Sequence, residues 1–208
     1  MVCGLKAISY FLPNTKQYIL TDSYRLTQNS VDATNSFYSG MLKSKSDAEL
    51  PLNFSQFPLL KNTFQNNGGT SLKIFELPDG RIPSSESSKF IVELVNELKQ
   101  YNAKAEIAVL AFNRDTIRFL QKEIFSKCSN SEDVLVETID RIQGLTSDFC
   151  IFFIPTESIP FALQINRFNV APSRARLCTL LIADKDILYF TAVSEEVSNY
   201  FKRILIIS

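Results

Sequence analysis

The sequence contains no histidine. That absence removes Ser-His-Asp and Cys-His nucleophilic sites, imidazole general bases and most zinc sites. Cysteine is sparse: Cys3, Cys128, Cys150 and Cys178, none at C-x-x-C spacing. Cys150 and Cys178 fall within apolar runs and read as small core hydrophobes in a reducing compartment; Cys3 is the one expected to be exposed. Net charge is also missing, since 22 basic and 22 acidic residues balance. Any nucleic-acid contact must therefore come from a local cluster, not from the field of the whole molecule. No apolar run reaches the ~18 residues of a membrane span. The N-terminus lacks a basic region followed by a sustained apolar one. No membrane partner is expected, and the location reads as cytoplasmic. There is no internal repeat or low-complexity tract. No G-x-x-x-x-G-K-[ST] loop occurs, because Gly68-Gly69-Thr70 lacks the lysine and the following helix. No strand ends in an acidic pair suited to magnesium. The chain alone is expected not to hydrolyse a nucleotide.

What is present is apolar and ordered in its spacing. Hydrophobic residues make up 45% of the chain and phenylalanine occurs 17 times. Continuous apolar runs at Val134–Val136, Phe149–Ile154 and Leu177–Ala183 suit fully buried strands. Leu72–Leu77 and Glu106–Ala111 are further strands. Phe90, Ile91, Leu94, Val95 and Leu98 recur at helical spacing after Ser84–Ser88, predicting a helix to about Tyr101. Arg114–Lys127 is a second helix, with Ile117, Leu120 and Ile124 on one face. Thr27 or Asn29 caps a helix to about Tyr38, with Gly40 as its C-cap. A short amphipathic segment, Leu5–Phe11, and a strand, Gln17–Leu20, precede it. Residues 43–71 read as an irregular insertion. Asp186–Phe190 reads as an edge strand, Val197–Ile204 as a closing helix, and the tail ILIIS as a last strand or a cut end. Strand alternates with helix from 72 to 183, so the fold class is α/β, with a mostly parallel sheet covered by helices on both faces in one domain over 1–208. The polar loops 138–148 and 169–176 are expected beyond the carboxyl ends of the strands.

Two clusters could carry chemistry. Arg174 and Arg176 follow the break at Pro172, and a guanidinium matches phosphate oxygens and stabilises charge on a transferring phosphoryl group. The same residues would serve equally to cap a helix or pair with a surface acid. Thr138, Asp140, Arg141, Gln143 and Gly144 form the second cluster. A hydroxyl and free loop amides bind phosphate, and a glycine admits close approach of a ligand. An ordinary β-to-α turn has the same composition.

These segments resemble a known family. VETIDRIQGLTSD (136–148) is similar to motif V of superfamily 1 helicases, and NVAPSRAR (169–176) to their motif VI. LTDSYRLTQNSVDATNSFYSGML (20–42) resembles the motif IV region of the 5′-to-3′ branch that acts in nonsense-mediated decay and Okazaki-fragment processing. IAVLAFNRDTIRFLQKEI (107–124) resembles the strand and helix between these motifs. The similarity runs in order over most of the chain, leaving only 43–71 unmatched.

The resemblance implies a RecA-like three-layer domain, the C-terminal one of a two-domain ATP-dependent motor. ATP with Mg2+ would be held mainly by a missing N-terminal helicase domain, whose end lies about where this chain begins. Carried over by position, Arg25 and Arg174 would contact the γ-phosphate. Gly144 would border the nucleotide, with Gln143 linking it to the strand. Thr138 would bind a backbone phosphate of single-stranded DNA or RNA. Thr146 stands where many members have a ribose-facing glutamate, and Pro172-Ser173 where they have Leu-Thr. The alternative reading is a non-catalytic RecA-like module that binds nucleic acid or a partner protein.

Overall fold

The computed structural model describes residues 20–142, 144–191 and 193–207. The segment expected over 1–19, together with Cys3 and Gln143, lies outside them. In chain order the elements are β1 (Asp22–Ser23), α1 (Gln28–Thr34), β2 (Lys43–Ser44), α2 (Pro58–Thr63) and β3 (Gly69–Phe75). Then come α3 (Ser85–Tyr101), β4 (Ile107–Ala111), α4 (Arg114–Lys127), β5 (Val134–Thr138) and β6 (Ser147–Ile154). The chain continues through α5 (Ile159–Ala162), α6 (Ile165–Phe168), β7 (Ala175–Asp184), α7 (Asp186–Tyr189), α8 (Glu195–Phe201) and β8 (Leu205–Ile207).

Six strands form one sheet in the order β5-β4-β6-β7-β3-β8, every pair parallel. Successive side chains of a strand point to opposite faces, and both faces here are buried. Phe149, Ile151 and Phe153 of β6 join one apolar cluster with Ile91, Leu94, Leu98, Leu120 and Ile124 of α3 and α4. Cys150, Phe152 and Ile154 join the other, with Ala33, Phe168, Val197 and Tyr200. This two-sided burial is why the strands read as continuous apolar runs without alternation. Three layers result, with helices on both faces of a parallel sheet, as expected. No helix among the described residues is long and apolar enough to cross a membrane.

Several local expectations change. The helix after Thr27 ends at Thr34, not near Tyr38, and Asn35 is its C-cap. Gly40, at φ 73°, closes the turn that follows, its N–H donating to the Asn35 carbonyl at 3.2 Å. Asp186–Tyr189 is a helical turn, not an edge strand: the Asp184 carboxylate accepts the Asp186 N–H at 3.0 Å and folds the chain back. Residues 43–71 contain β2 and α2 and feed the main core. Phe54 is 1% exposed and lies against Tyr101, Phe64 and the α3 face. This phenylalanine-rich stretch therefore packs on its own domain. The tail is a strand: β8 pairs with β3. Cys150 and Cys178 are buried and free, as expected for core thiols.

Phe54→Ala is expected to lower unfolding free energy by about 3–5 kcal/mol, the range for removing a buried aromatic ring. Urea denaturation measures it; a loss below ~1 kcal/mol would mean that 43–71 folds apart from the core.

Candidate functional site

The sheet register sorts the candidate residues onto two ends. Thr138 pairs with Ala111, Leu110 with Phe152, and Phe152 with Leu181, so Thr138 is level with Ile182 of β7. Arg174 lies before β7 begins. At ~3.3 Å per residue the two are separated by roughly 25 Å along the strands. Arg174 therefore sits at the amino edge and Thr138 at the carboxyl edge. The expectation that loop 169–176 lies beyond the carboxyl ends is not met: the loop leads into the amino end of β7. Loop 138–148 starts at the carboxyl edge and returns to the amino edge.

At the amino edge, Arg25 and Arg174 line one cavity of about 510 Å³. Arg25 Nη1 donates to the Ser173 carbonyl at 2.9 Å, so the first arginine is held by the backbone that carries the second. Several contacts fix this geometry. The Arg174 N–H donates to the Ala171 carbonyl at 3.0 Å, and the Arg174 carbonyl accepts from the Ser147 N–H at 3.1 Å. Gly68 lets α1 come against β7: a Cβ there would meet Thr27 Oγ1 at 2.6 Å and the Leu177 carbonyl at 2.7 Å.

The electrostatics are unbalanced. Neither Arg25 nor Arg174 makes an ion pair among the described residues; Asp22 lines the same cavity without bridging either. Burial first, and then the like charge of Arg25, hold the Arg174 guanidinium below its ordinary pKa. Its Nη1 reaches the Leu145 carbonyl at 3.5 Å, while its Nε is buried with no hydrogen-bond partner. Thr34, which also lines the cavity, has an unpartnered buried hydroxyl. Buried donors left unpaired carry a desolvation cost. Arg176 has a different role: it pairs with Asp148 at 2.9 Å and with Glu106, as a structural ion pair.

Gly144 has φ 93°, and an added Cβ would touch nothing within 4 Å. Glycine is suited there by backbone conformation, not by crowding. The carbonyl of its neighbour Leu145 is the one that Arg174 reaches, which joins the Gly144 loop to the arginine site. Gln143 lies outside the described residues.

At the carboxyl edge, Thr138 lines a separate cavity of about 210 Å³ with Arg114, Arg118 and Arg141. Its hydroxyl donates to Glu137 Oε1 at 3.1 Å and its N–H donates to the same oxygen at 2.7 Å. That backbone bond, followed by those from the Thr138 hydroxyl and Arg141, holds the Glu137 carboxyl below the usual range. Arg141 pairs with Glu137 at 3.3 Å. Asp140 faces another cavity, shared with Arg81, Asn113 and Glu157.

The structure thus brings together Arg25, Arg174 and the Gly144 loop, and sets Thr138 apart from them. Sequence reasoning passed over Tyr24, Thr34 and Tyr38, all lining the arginine cavity. Tyr38 lies in the turn after α1, beyond its last residue Thr34, so no helical spacing links the two. Tyr24, 75% exposed beside Arg25, had no signal beyond its neighbour.

Comparison with known proteins agrees with the architecture. The family model described as "AAA domain" matches residues 6–186. An uncharacterized ATP-dependent helicase of Caenorhabditis elegans is 30% identical over 137 residues, covering 63% of this chain and 8% of that protein. Another, of Methanocaldococcus jannaschii, is 24% identical over 204 residues, covering 89% of this chain and 29% of the relative. The chain therefore spans less than a third of the length of either relative. Among solved structures, the C-terminal domain of a possible DNA helicase from Lactobacillus plantarum superimposes with a TM-score of 0.50 at 14% identity, covering 89% of this chain and 99% of that one. The expected kinship with helicases, and the α/β RecA-like fold, are met. With a family model covering most of its length, the chain belongs to the AAA domain family, with ATP-dependent helicases among its relatives.

Proposed function

We propose that this chain is the C-terminal motor domain of a superfamily 1 ATP-dependent helicase of the 5′-to-3′ nonsense-decay and Okazaki-processing type. Arg25 and Arg174 are offered in trans to the γ-phosphate of an ATP–Mg2+ complex held by a separate N-terminal RecA-like domain. The observation that carries this reading is two guanidiniums lining one cavity, neither in an ion pair among the described residues. Positive charge fixed in advance of the anion stabilises a phosphoryl group as it transfers, without reorganisation at the moment of reaction. Closure of the two domains would bring the arginines to the phosphate and gate hydrolysis. Tyr24 offers an exposed ring face at the cavity mouth, suited to stack on a planar group.

The strand track is assigned to the carboxyl edge, where Thr138 meets Arg114, Arg118 and Arg141. Glu137 now occupies the Thr138 hydroxyl and amide, so a backbone phosphate of single-stranded DNA or RNA must displace that carboxylate.

Tripolyphosphate is expected to raise the unfolding temperature of the chain, and Arg25→Ala or Arg174→Ala to remove the effect. An equal shift in both variants and the parent would sink the reading. In the intact two-domain enzyme, Arg174→Ala should leave nucleotide binding largely in place and cut hydrolysis ~10³-fold or more; retained turnover is the contrary result. Thr138→Ala should weaken single-strand binding with the salt slope unchanged and little change in basal hydrolysis, whereas Glu137→Gln should strengthen binding. A salt titration of strand affinity reads both, and identical curves would remove the track from this edge.

A further inference from the structure

The carboxyl edge carries an aromatic and cationic stack beside Thr138. Thr138 pairs with Ala111, and Phe112 follows at the end of β4. The Phe112 ring meets that of Phe161, in α5, at 5.1 Å between centroids and 89° between planes. Arg167, in α6, lies over the Phe161 ring with its guanidinium carbon 3.5 Å from the centroid. At that contact distance the guanidinium lies nearly flat on the ring. Phe161 is 39% exposed and Arg167 is half-buried. The Arg167 guanidinium makes no ion pair or hydrogen bond among the described residues. Phe112 and Phe161 line a cavity of about 260 Å³ with Asn113, Asp140 and Glu157. It adjoins the Thr138 cavity, because Asn113 and Asp140 line the one while Arg114 and Arg141, the next residues in the chain, line the other.

We infer that Arg167, held flat by Phe161, is a stacking platform for a base of the single strand whose backbone lies at Thr138. This deepens the strand-track reading above and rests on it. Bases of single strands stack on guanidinium planes as they do on aromatic rings. The stack Phe112–Phe161–Arg167 ends on such a plane. Charge sorts the two parts of a nucleotide. Arg114, Arg118 and Arg141 attract phosphate on the Thr138 side, whereas Asp140 repels it on the Phe161 side. The backbone is thereby turned toward the arginines and the bases toward Phe161. The reach is suitable: β5, β4 and β6 are neighbours in that order, and two strand spacings are about 10 Å. Every base has a face to stack, so the contact tolerates any sequence. Arg167 touches the base, and Phe161 is a positioning residue. A guanidinium that merely clips α6 to α5 would show the same contact, and a strand without bases separates the two roles.

The test is titration of the full chain, followed by amide NMR, with oligothymidylate of about eight nucleotides and with an abasic strand of the same length. Thymidylate should shift the signals of Asn113, Ser158 and Arg167. Arg167→Lys keeps the charge and removes the plane; it should weaken thymidylate at least about fivefold with the salt slope unchanged. Phe161→Ala should do the same, and Phe161→Tyr should stay within about twofold of the parent. The abasic strand should bind the parent more weakly than thymidylate does, and bind Arg167→Lys and Phe161→Ala within about twofold of the parent. Variants that hold thymidylate as the parent does, variants that lose the abasic strand equally, or a parent that binds no thymidylate would overturn the inference. Both variants should keep the stabilisation by tripolyphosphate that depends on Arg25 and Arg174. Loss of base stacking with that stabilisation intact sinks the platform alone, whereas a parent that tripolyphosphate does not stabilise sinks the motor reading alone.

Discussion

Two like charges are held in one cavity, and this constraint organises the amino edge of the domain. Arg25 and Arg174 come from distant parts of the chain, and the like charge of Arg25 adds to burial in holding the Arg174 guanidinium below its ordinary pKa. Among the described residues no acid bridges them, and backbone contacts hold them in place. The Ser173 carbonyl takes the Arg25 guanidinium, and the Gly68 contact seats the Thr27 end of α1 against β7. Behind both stands the parallel register of β6 and β7, which fixes where residue 174 enters the sheet.

Much of this frame is legible in the amino-acid order. β6 and β7 are visible as apolar runs because both faces of the sheet are covered. Helix α3 is visible from its repeat and from Ser84, whose Oγ accepts the Ser87 N–H at 3.1 Å. The segment 43–71 is opaque for a physical reason: Phe54, Leu60 and Phe64 are buried from a stretch with no single period, so no repeat betrays them. Asp186–Tyr189 misleads because its apolar composition suits a strand, while the deciding contact is a carboxylate two residues earlier.

The candidate site divides in the same way. Arg25 and Arg174 can be paired from the sequence only by resemblance to a family, since nothing in their local spacing links them. Thr34 is the last residue of α1, whereas Tyr38 reaches the cavity from the turn beyond it, which no helical period marks. Which edge of the sheet a loop occupies depends on the direction in which it is traversed, so loop 169–176 could be identified yet set at the wrong end. Glu137 is a strand neighbour of Thr138 whose side chain folds round to meet it, a rotamer choice that no pattern announces.

The separation of the arginine cavity from the Thr138 cavity has a mechanical meaning. Between them run stiff, fully bonded parallel strands with dense apolar packing on either side. Such a slab does not stretch or shear easily. A small rotation imposed at one rim must reappear as a sweep at the other, with the sheet acting as the arm of a lever.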